Sequence, residues 1–258
     1  MPKGFFTDTT VCIGCKACEV ACKQWNQLPE DGLFFSGMSY DNSVQLGAST
    51  WRHVAFIERP VPLSGQDNGS FSWLMMSDVC KHCRRAGCLE ACPTGAIIRT
   101  EFDTVYVQPD ICNGCGYCVA ACPFGVVDRE PKDGRAWKCT LCYDRLKGDL
   151  EPACAKACPT DSILFGEVAD MQQKARRRLH ELHERGVVEA YLYGMDAESQ
   201  PGTEGLNAFF LLVDRPEVYN LPPNPTVPTK KVRESWRSAA LASLGLLAAA
   251  IGAVWSSR

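Results

Sequence analysis

Residues 112–125 read CNGCGYCVAACPFG. Four thiols within eleven positions, spaced C-x2-C-x2-C-x3-C and followed by proline, call for a shared partner. The same density recurs along the chain. Sixteen cysteines stand at 12, 15, 18, 22; 80, 83, 88, 92; 112, 115, 118, 122; and 139, 142, 154, 158, four groups of four with none left over. Disulfides, zinc and iron–sulfur clusters are the chemistries open to such a set. Disulfides suit small secreted domains, and the N-terminus MPKGFFTDTT carries no basic-then-apolar signal segment. Zinc ribbons separate two C-x2-C pairs widely, whereas here the third and fourth thiols follow at once. The spacing is instead that of iron–sulfur ligation, in which three thiolates hold one [4Fe–4S] cube and the fourth ligates the other cluster. Sixteen thiolates complement four cubes.

These ligands need elements that hold them in place. CLEACPTGAII, CVAACPFGVV and CAKACPTDSIL are one repeat: a turn of helix carrying the third and fourth thiols, a proline, a short turn, then an apolar run that reads as a strand. Pro93, Pro123 and Pro159 end the helical turn and redirect the chain. Gly14 in CIGC and Gly114 in CNGC supply positive φ where the backbone must wrap a cube closely. The second and third groups are joined by AIIRTEFDTVYVQPDI, a strand, a turn at Glu101–Thr104 and a strand. That hairpin resembles the one linking the halves of a two-cluster ferredoxin. It assigns Cys80, Cys83, Cys88 and Cys122 to one cube and Cys112, Cys115, Cys118 and Cys92 to another. The first and fourth groups then fall to each other: Cys12, Cys15, Cys18 and Cys158 for a third cube, and Cys139, Cys142, Cys154 and Cys22 for a fourth. The expected fold is α+β, with one ferredoxin-like two-cluster unit (76–127) inserted in another (1–75 with 128–165).

Two groups depart from the ideal spacing, with four residues between Cys83 and Cys88 and eleven between Cys142 and Cys154; both insertions lengthen a loop and leave the flanking spacings intact. Lys23 replaces proline after the first group, where the chain enters an excursion over 24–75 that includes a strand at TWRHVAFIER. Beyond Phe165 the expectation is a charged helix, Asp170–Arg185 closed by Gly186, then a buried strand at NAFFLLVD. RPEVYNLPPNPTVPT, with five prolines, reads as an extended strap unfit for the core, so 166–236 forms a cover. A C-terminal anchor (237–258) contains Ala239–Trp255, seventeen uncharged residues at the short end of what spans a bilayer. The formal charge is −3, and four clusters with their thiolates add about −8, which disfavours a nucleic-acid partner. The basic run KARRR, Lys174–Arg178, reads as the solvated face of its helix.

CIGCKACEVACKQWN, KHCRRAGCLEACPTGAI and VQPDICNGCGYCVAACPFGVV, in this order, resemble the iron–sulfur (beta) subunit of membrane-bound respiratory formate dehydrogenases, within the four-cluster electron-transfer subunits of molybdopterin oxidoreductases. The cysteine groups alone fit dimethyl sulfoxide, polysulfide or nitrate reductase subunits equally. ACKQWN, RPEVYNLP and the single apolar segment led by SWR lean toward formate dehydrogenase. The resemblance implies a molybdopterin catalytic subunit (molybdenum or tungsten) as electron source, a membrane haem b/quinone subunit as acceptor, and an iron–sulfur domain on the outer membrane face. A free polyferredoxin shuttle is the alternative, and it needs neither strap nor tail.

The chain offers no Ser–His–Asp or Cys–His set and no phosphate-cradling glycine loop, so no catalytic site of its own is expected. Around the ligands, Lys16, Lys23, Lys81, Arg84, Arg85 and Lys138 are cations expected to stabilise a reduced cube or to bind the catalytic subunit. His82 within CKHC is expected as a hydrogen-bond donor near a cube or a surface residue, and His53, His180 and His183 have no metal partners at useful spacing in the sequence. Tyr117 and Phe124 flank ligands and are expected to shield a cube from water; Trp137 is expected to do the same or to pack.

Overall fold

The computed structural model describes residues 1–32, 35, 37, 41, 43–59 and 72–256. The loops expected on either side of TWRHVAFIER lie partly outside these residues, and Arg258 wholly so. In chain order the elements are β1 (Lys3–Asp8), α1 (Ala17–Asn26), β2 (Arg52–Arg59), β3 (Ser72–Val79), α2 (Gly87–Glu90), β4 (Ile97–Arg99), β5 (Val105–Val107), α3 (Tyr117–Ala121), β6 (Asp128–Arg129) and β7 (Ala136–Trp137). They continue with α4 (Tyr143–Lys147), α5 (Ala153–Lys156), β8 (Ile163–Glu167), α6 (Val168–Glu184), β9 (Tyr191–Tyr193), β10 (Ala208–Leu212) and α7 (Val232–Ser256).

One four-stranded sheet runs β8-β1-β10-β9, with β1 parallel to β10 and antiparallel to β8. Phe6, Phe209, Phe210, Leu211 and Leu212 from this sheet meet Met171, Ala175 and Leu182 of α6 in a core that contains no fully buried cysteine. The strand expected at NAFFLLVD is β10, buried throughout. It sits beside β1, so the segment after residue 165 shares a sheet with the strands that bracket the first and last cysteine groups. Three antiparallel pairs complete the fold: β2 with β3, β4 with β5, and β6 with β7. The β4–β5 pair is the hairpin read between the second and third cysteine groups, with Asp103 at φ +61 in its turn.

Two expectations need correction. The apolar run after the third group, Gly125–Val127, forms no strand; Val126 and Val127 are buried side chains, and backbone pairing is deferred to Asp128–Arg129. The proline-rich strap does enter the core, because Tyr219, Leu221 and Val227 are buried. Proline removes a backbone donor without preventing its neighbours from burying side chains. The charged helix is α6, capped at Arg185 with Gly186 at φ +84 beyond it. Of its basic run, Lys174, Arg176 and Arg177 are exposed, while Arg178 donates to Asp8 at 2.8 Å.

Helices carrying cysteines pack in pairs: α1 against α5, and α2 against α3. The first group therefore meets the fourth, and the second meets the third.

Candidate metal centres

Cys12 precedes α1 and Cys18 lies within it, while Cys158 follows α5; with Cys15 these thiols line one cavity, closed by Ile13, Lys16, Val54, Ser77, Pro159 and Ile163. Gly14 holds the turn at φ +66, where a Cβ would stand 2.6 Å from the Met75 sulfur. Cys22, one turn further along α1, has the thiols of Cys139, Cys154 and Cys142 as its neighbours, and all four are buried. Asn26 Nδ2 donates to Cys22 Sγ at 3.7 Å and the Leu141 amide to Cys139 Sγ at 3.3 Å.

Cys80, Cys83, Cys88 and Cys122 line a second cavity with Lys81, His82, Phe124, Val126 and Val127. Cys118 has Cys112, Cys115 and Cys92 as thiol neighbours. The Ala136 amide donates to Cys112 Sγ at 3.4 Å. Every thiol thus falls in one of four foursomes, and each foursome combines two cysteine groups of the sequence. Adjacent foursomes touch electrostatically through Cys18 with Cys154, Cys139 with Cys80, and Cys88 with Cys118. They form a row.

Burial pushes the thiols of Cys18 and Cys142 up to about 11 and that of Cys88 up to about 12, so packed together they would stay neutral without a positive partner. Sixteen soft sulfur donors in converging fours suit iron held as a cluster, whose charge makes four adjacent thiolates tolerable. Around Cys92 partial burial is outweighed by the Thr94 hydroxyl and nearby amides of Ile97, Thr94 and Ala96, which lower its pKa.

The surrounding residues fall into distinct places. Lys81 and Lys138 are buried cations. Lys81 donates to Asp78 and lies 5.3 Å from the ring centres of Phe124 and Phe210. Lys138 donates to the Val105 and Cys139 carbonyls. Burial opposes its charge, and the thiols of Cys80, Cys88 and Cys139 more than restore it. Lys16 lines the first cavity but gives its ammonium to Asp41 at 2.7 Å, and Lys23 pairs with Asp31 at 2.6 Å. Arg84 is exposed, and Arg85 pairs with Glu90 at 3.0 Å. Phe124 is half-buried on the Cys80 cavity, as a shield should be. Tyr117, the first residue of α3, is 63% exposed. Trp137 stacks on Trp51 at 6.3 Å.

His82 is fully buried, which removes the surface alternative. Its Nδ1 accepts from the Val105 amide at 3.1 Å, so Nε2 bears the hydrogen, and that buried donor has no partner among the described protein atoms. An unmet donor on a residue that lines a thiol cavity is what a cluster's sulfurs would satisfy. Burial, with Lys138, Arg99 and Arg52 nearby, keeps the ring neutral.

His53 has partners that sequence spacing does not show: it meets Glu19 and Asp41, their ligand atoms within 4.8 Å of one another. The Lys16 ammonium contacts both carboxylates, so the group already has its cation. His180 pairs with Glu184 on the surface and His183 bonds the Ala190 carbonyl. Arg52, which sequence reading passed over, is 1% exposed and donates to Cys154 Sγ at 3.2 Å. The only signal in the sequence was a charge at the start of a strand.

Residues 11–96 and 71–168 each match the profile of a 4Fe-4S dicluster domain. The formate dehydrogenase iron–sulfur subunit of Haemophilus influenzae is 42% identical over 85% of this chain and 68% of its own length. The nitrate-inducible formate dehydrogenase iron–sulfur subunit of Escherichia coli K12 is 39% identical over 96% of this chain and 82% of its own. A subunit of the anaerobic dimethyl sulfoxide reductase of that organism is 31% identical over 66% and 76% respectively. The cofactors are therefore [4Fe–4S] clusters, and sixteen cysteines fit four of them. With that donor set, two dicluster matches and these relatives, the chain belongs to the family of formate dehydrogenase iron–sulfur subunits.

Proposed function

We propose that this chain is the electron wire of a formate dehydrogenase complex, carrying electrons one at a time through four [4Fe–4S] clusters in a row. The observation that carries this reading is the row itself: four foursomes of thiols, each next to the following one through a named cysteine pair. In this reading the ligands are Cys12, Cys15, Cys18 and Cys158 at the first centre, and Cys22, Cys139, Cys142 and Cys154 at the second. Cys80, Cys83, Cys88 and Cys122 serve the third, and Cys92, Cys112, Cys115 and Cys118 the fourth. One ferredoxin-like unit then carries the middle two cysteine groups and is nested in another that carries the outer two. A bound cluster takes up and gives back one electron without a proton. The protein's part is to hold the centres close, keep water from the middle ones and set the charge around each.

The ends of the row differ from its middle. Cys15 at the first centre and Cys115 at the fourth are exposed, whereas all four thiols of the second are buried. Exposed Ile13 lies beside Cys15, and exposed Ile111 and Tyr117 flank the fourth centre, which fits subunit contacts at both ends. The C-terminal helix is tethered near the third and fourth centres: Thr229 donates to Glu90 of α2, and Val227 packs on Gly87. We therefore place the catalytic subunit, with its molybdenum or tungsten pterin, at the first centre. The membrane haem b/quinone subunit belongs at the fourth. Oxidation of formate to carbon dioxide and a proton releases two electrons, and each passes down the row singly.

The anaerobic dimethyl sulfoxide reductase relative supports a second reading, the same wire run in the reductive direction. Anaerobically purified complex should contain about sixteen iron and sixteen acid-labile sulfide in this chain, and formate should reduce its clusters. Iron near about eight would remove the four-cluster assignment. Reduction by quinol but not by formate would favour the reductase direction.

A further inference from the structure

Arg52 opens β2, paired with Val79 at the far end of β3. Its guanidinium sits between the first two foursomes. Nη2 donates to Cys154 Sγ at 3.2 Å, and Nη1 donates to the Ser77 carbonyl at 3.2 Å and to Ser77 Oγ at 3.3 Å. Ser77 Oγ lies 3.1 Å from Cys18 Sγ. A ligating Cys18 is a thiolate and cannot donate, so the Ser77 hydroxyl gives its hydrogen to sulfur and accepts from arginine. The bridge from Cys154 through Arg52 and Ser77 to Cys18 therefore sends its outer hydrogens to ligand sulfurs at both ends.

The fork shape matters. Guanidinium presents two separate donor edges in one plane, while a lysine ammonium would offer a single point charge. The plane also lies 4.8 Å from the centre of the Phe5 ring, which fixes its orientation. None of its hydrogen bonds goes to a carboxylate among the described residues. A buried cation is costly unless paired. Here its partners are the Cys154 sulfur and, through Ser77, the Cys18 sulfur.

We propose that Arg52, assisted by Ser77, raises the reduction potentials of the first two centres together, and so keeps the electron step between them close to level. This rests on the four-centre reading above. In that step one electron leaves the first centre and one arrives at the second; no bond forms or breaks, and Arg52 keeps its proton throughout. Reduction makes a centre more negative, and a cation hydrogen-bonded to its ligand sulfur stabilises that state more than the oxidised one. Because the same guanidinium serves both sides, its stabilisation follows the electron across. Arg52 is thus a positioning residue with an electrostatic output.

The test uses the assembled complex, with cluster potentials read by redox titration followed by electron paramagnetic resonance. Iron and sulfide are measured first in the unaltered protein, and iron well short of four clusters would overturn the four-centre reading and this proposal with it. With four clusters present, Arg52→Gln should lower two of the four midpoint potentials and leave two unchanged. Arg52→Lys should lower the same two by less. Ser77→Ala should lower one of those two only. Unchanged potentials in Arg52→Gln, or an equal shift of all four, would overturn the proposal while leaving the wire intact. Should Arg52→Gln fail to assemble, Ser77→Ala decides alone: one lowered potential supports the bridge, and four unchanged ones overturn it.

Discussion

A methyl group at Gly114 would reach to 2.4 Å of the Gly134 carbonyl oxygen, on a backbone held at φ +72. Gly125 has a similar φ, +63, with nothing within 4 Å of where a Cβ would stand. The pair separates two costs. Gly125→Ala should lose only the left-handed penalty, about 1–2 kcal/mol. Gly114→Ala adds a backbone collision inside the fourth centre, and should lose that cluster, about four of sixteen iron. Iron analysis of both variants checks this, and equal iron retention would mean that the CNGC turn can relax. Gly114 was legible in the sequence because its demand is local: a motif two residues long fixes the turn. Arg52 was not, because its meaning depends on Cys154, 102 positions away. The same holds for His53, which faces Glu19 from another element. No spacing rule reaches that far.

The cysteine-bearing helices lie one level up, and their pairing decides which groups share a centre. Because α1 packs on α5, Cys158 reaches the cavity of Cys12, Cys15 and Cys18. Cys158→Ser should therefore disturb one cluster of the outer unit and leave both clusters of residues 80–122 spectroscopically unchanged. A change appearing first in the middle unit would undo the nested arrangement. The β4–β5 hairpin and β8 could be read in advance, since a turn or proline bounds a short β-branched run. The run at Gly125–Val127 has the same composition and forms no strand. Its two valines each face a different core, Val126 the one around Cys139 and Val127 the one around Cys118. Tertiary burial there outweighs strand propensity. The strap misled for a related reason: five prolines forecast missing backbone bonds correctly, yet said nothing about Tyr219, whose side chain is buried while its hydroxyl accepts from the Val213 amide.

At the scale of the whole molecule, α7 stands apart. Its described side chains are exposed, and an 18-residue stretch within Pro228–Ala253 has a mean hydropathy of 1.4 with none of it buried, so the helix is long and apolar enough to cross a membrane. Gly245 and Gly252 have nothing within 4 Å, which leaves room for close approach by another helix. Trp236 and Trp255 are nineteen residues apart, about 28 Å along the axis, and suit opposite interfaces. Which side the clusters occupy is a separate question with two opposed arguments. Lys230, Lys231, Arg233 and Arg237 precede the apolar stretch and Arg258 follows it, so the count of positive charge favours the cytoplasm. Loop charge steers poorly, however, when a domain crosses the membrane already folded. The resemblance to respiratory formate dehydrogenases implies the outer face, reached by a domain that crosses already folded. We propose the outer face, because a domain that receives its iron before transport would cross folded. Protease added to intact spheroplasts should then digest the cluster domain and leave a short C-terminal fragment protected. Digestion only after the cells are opened would put the domain inside, and the flanking lysines and arginines would then have set the orientation.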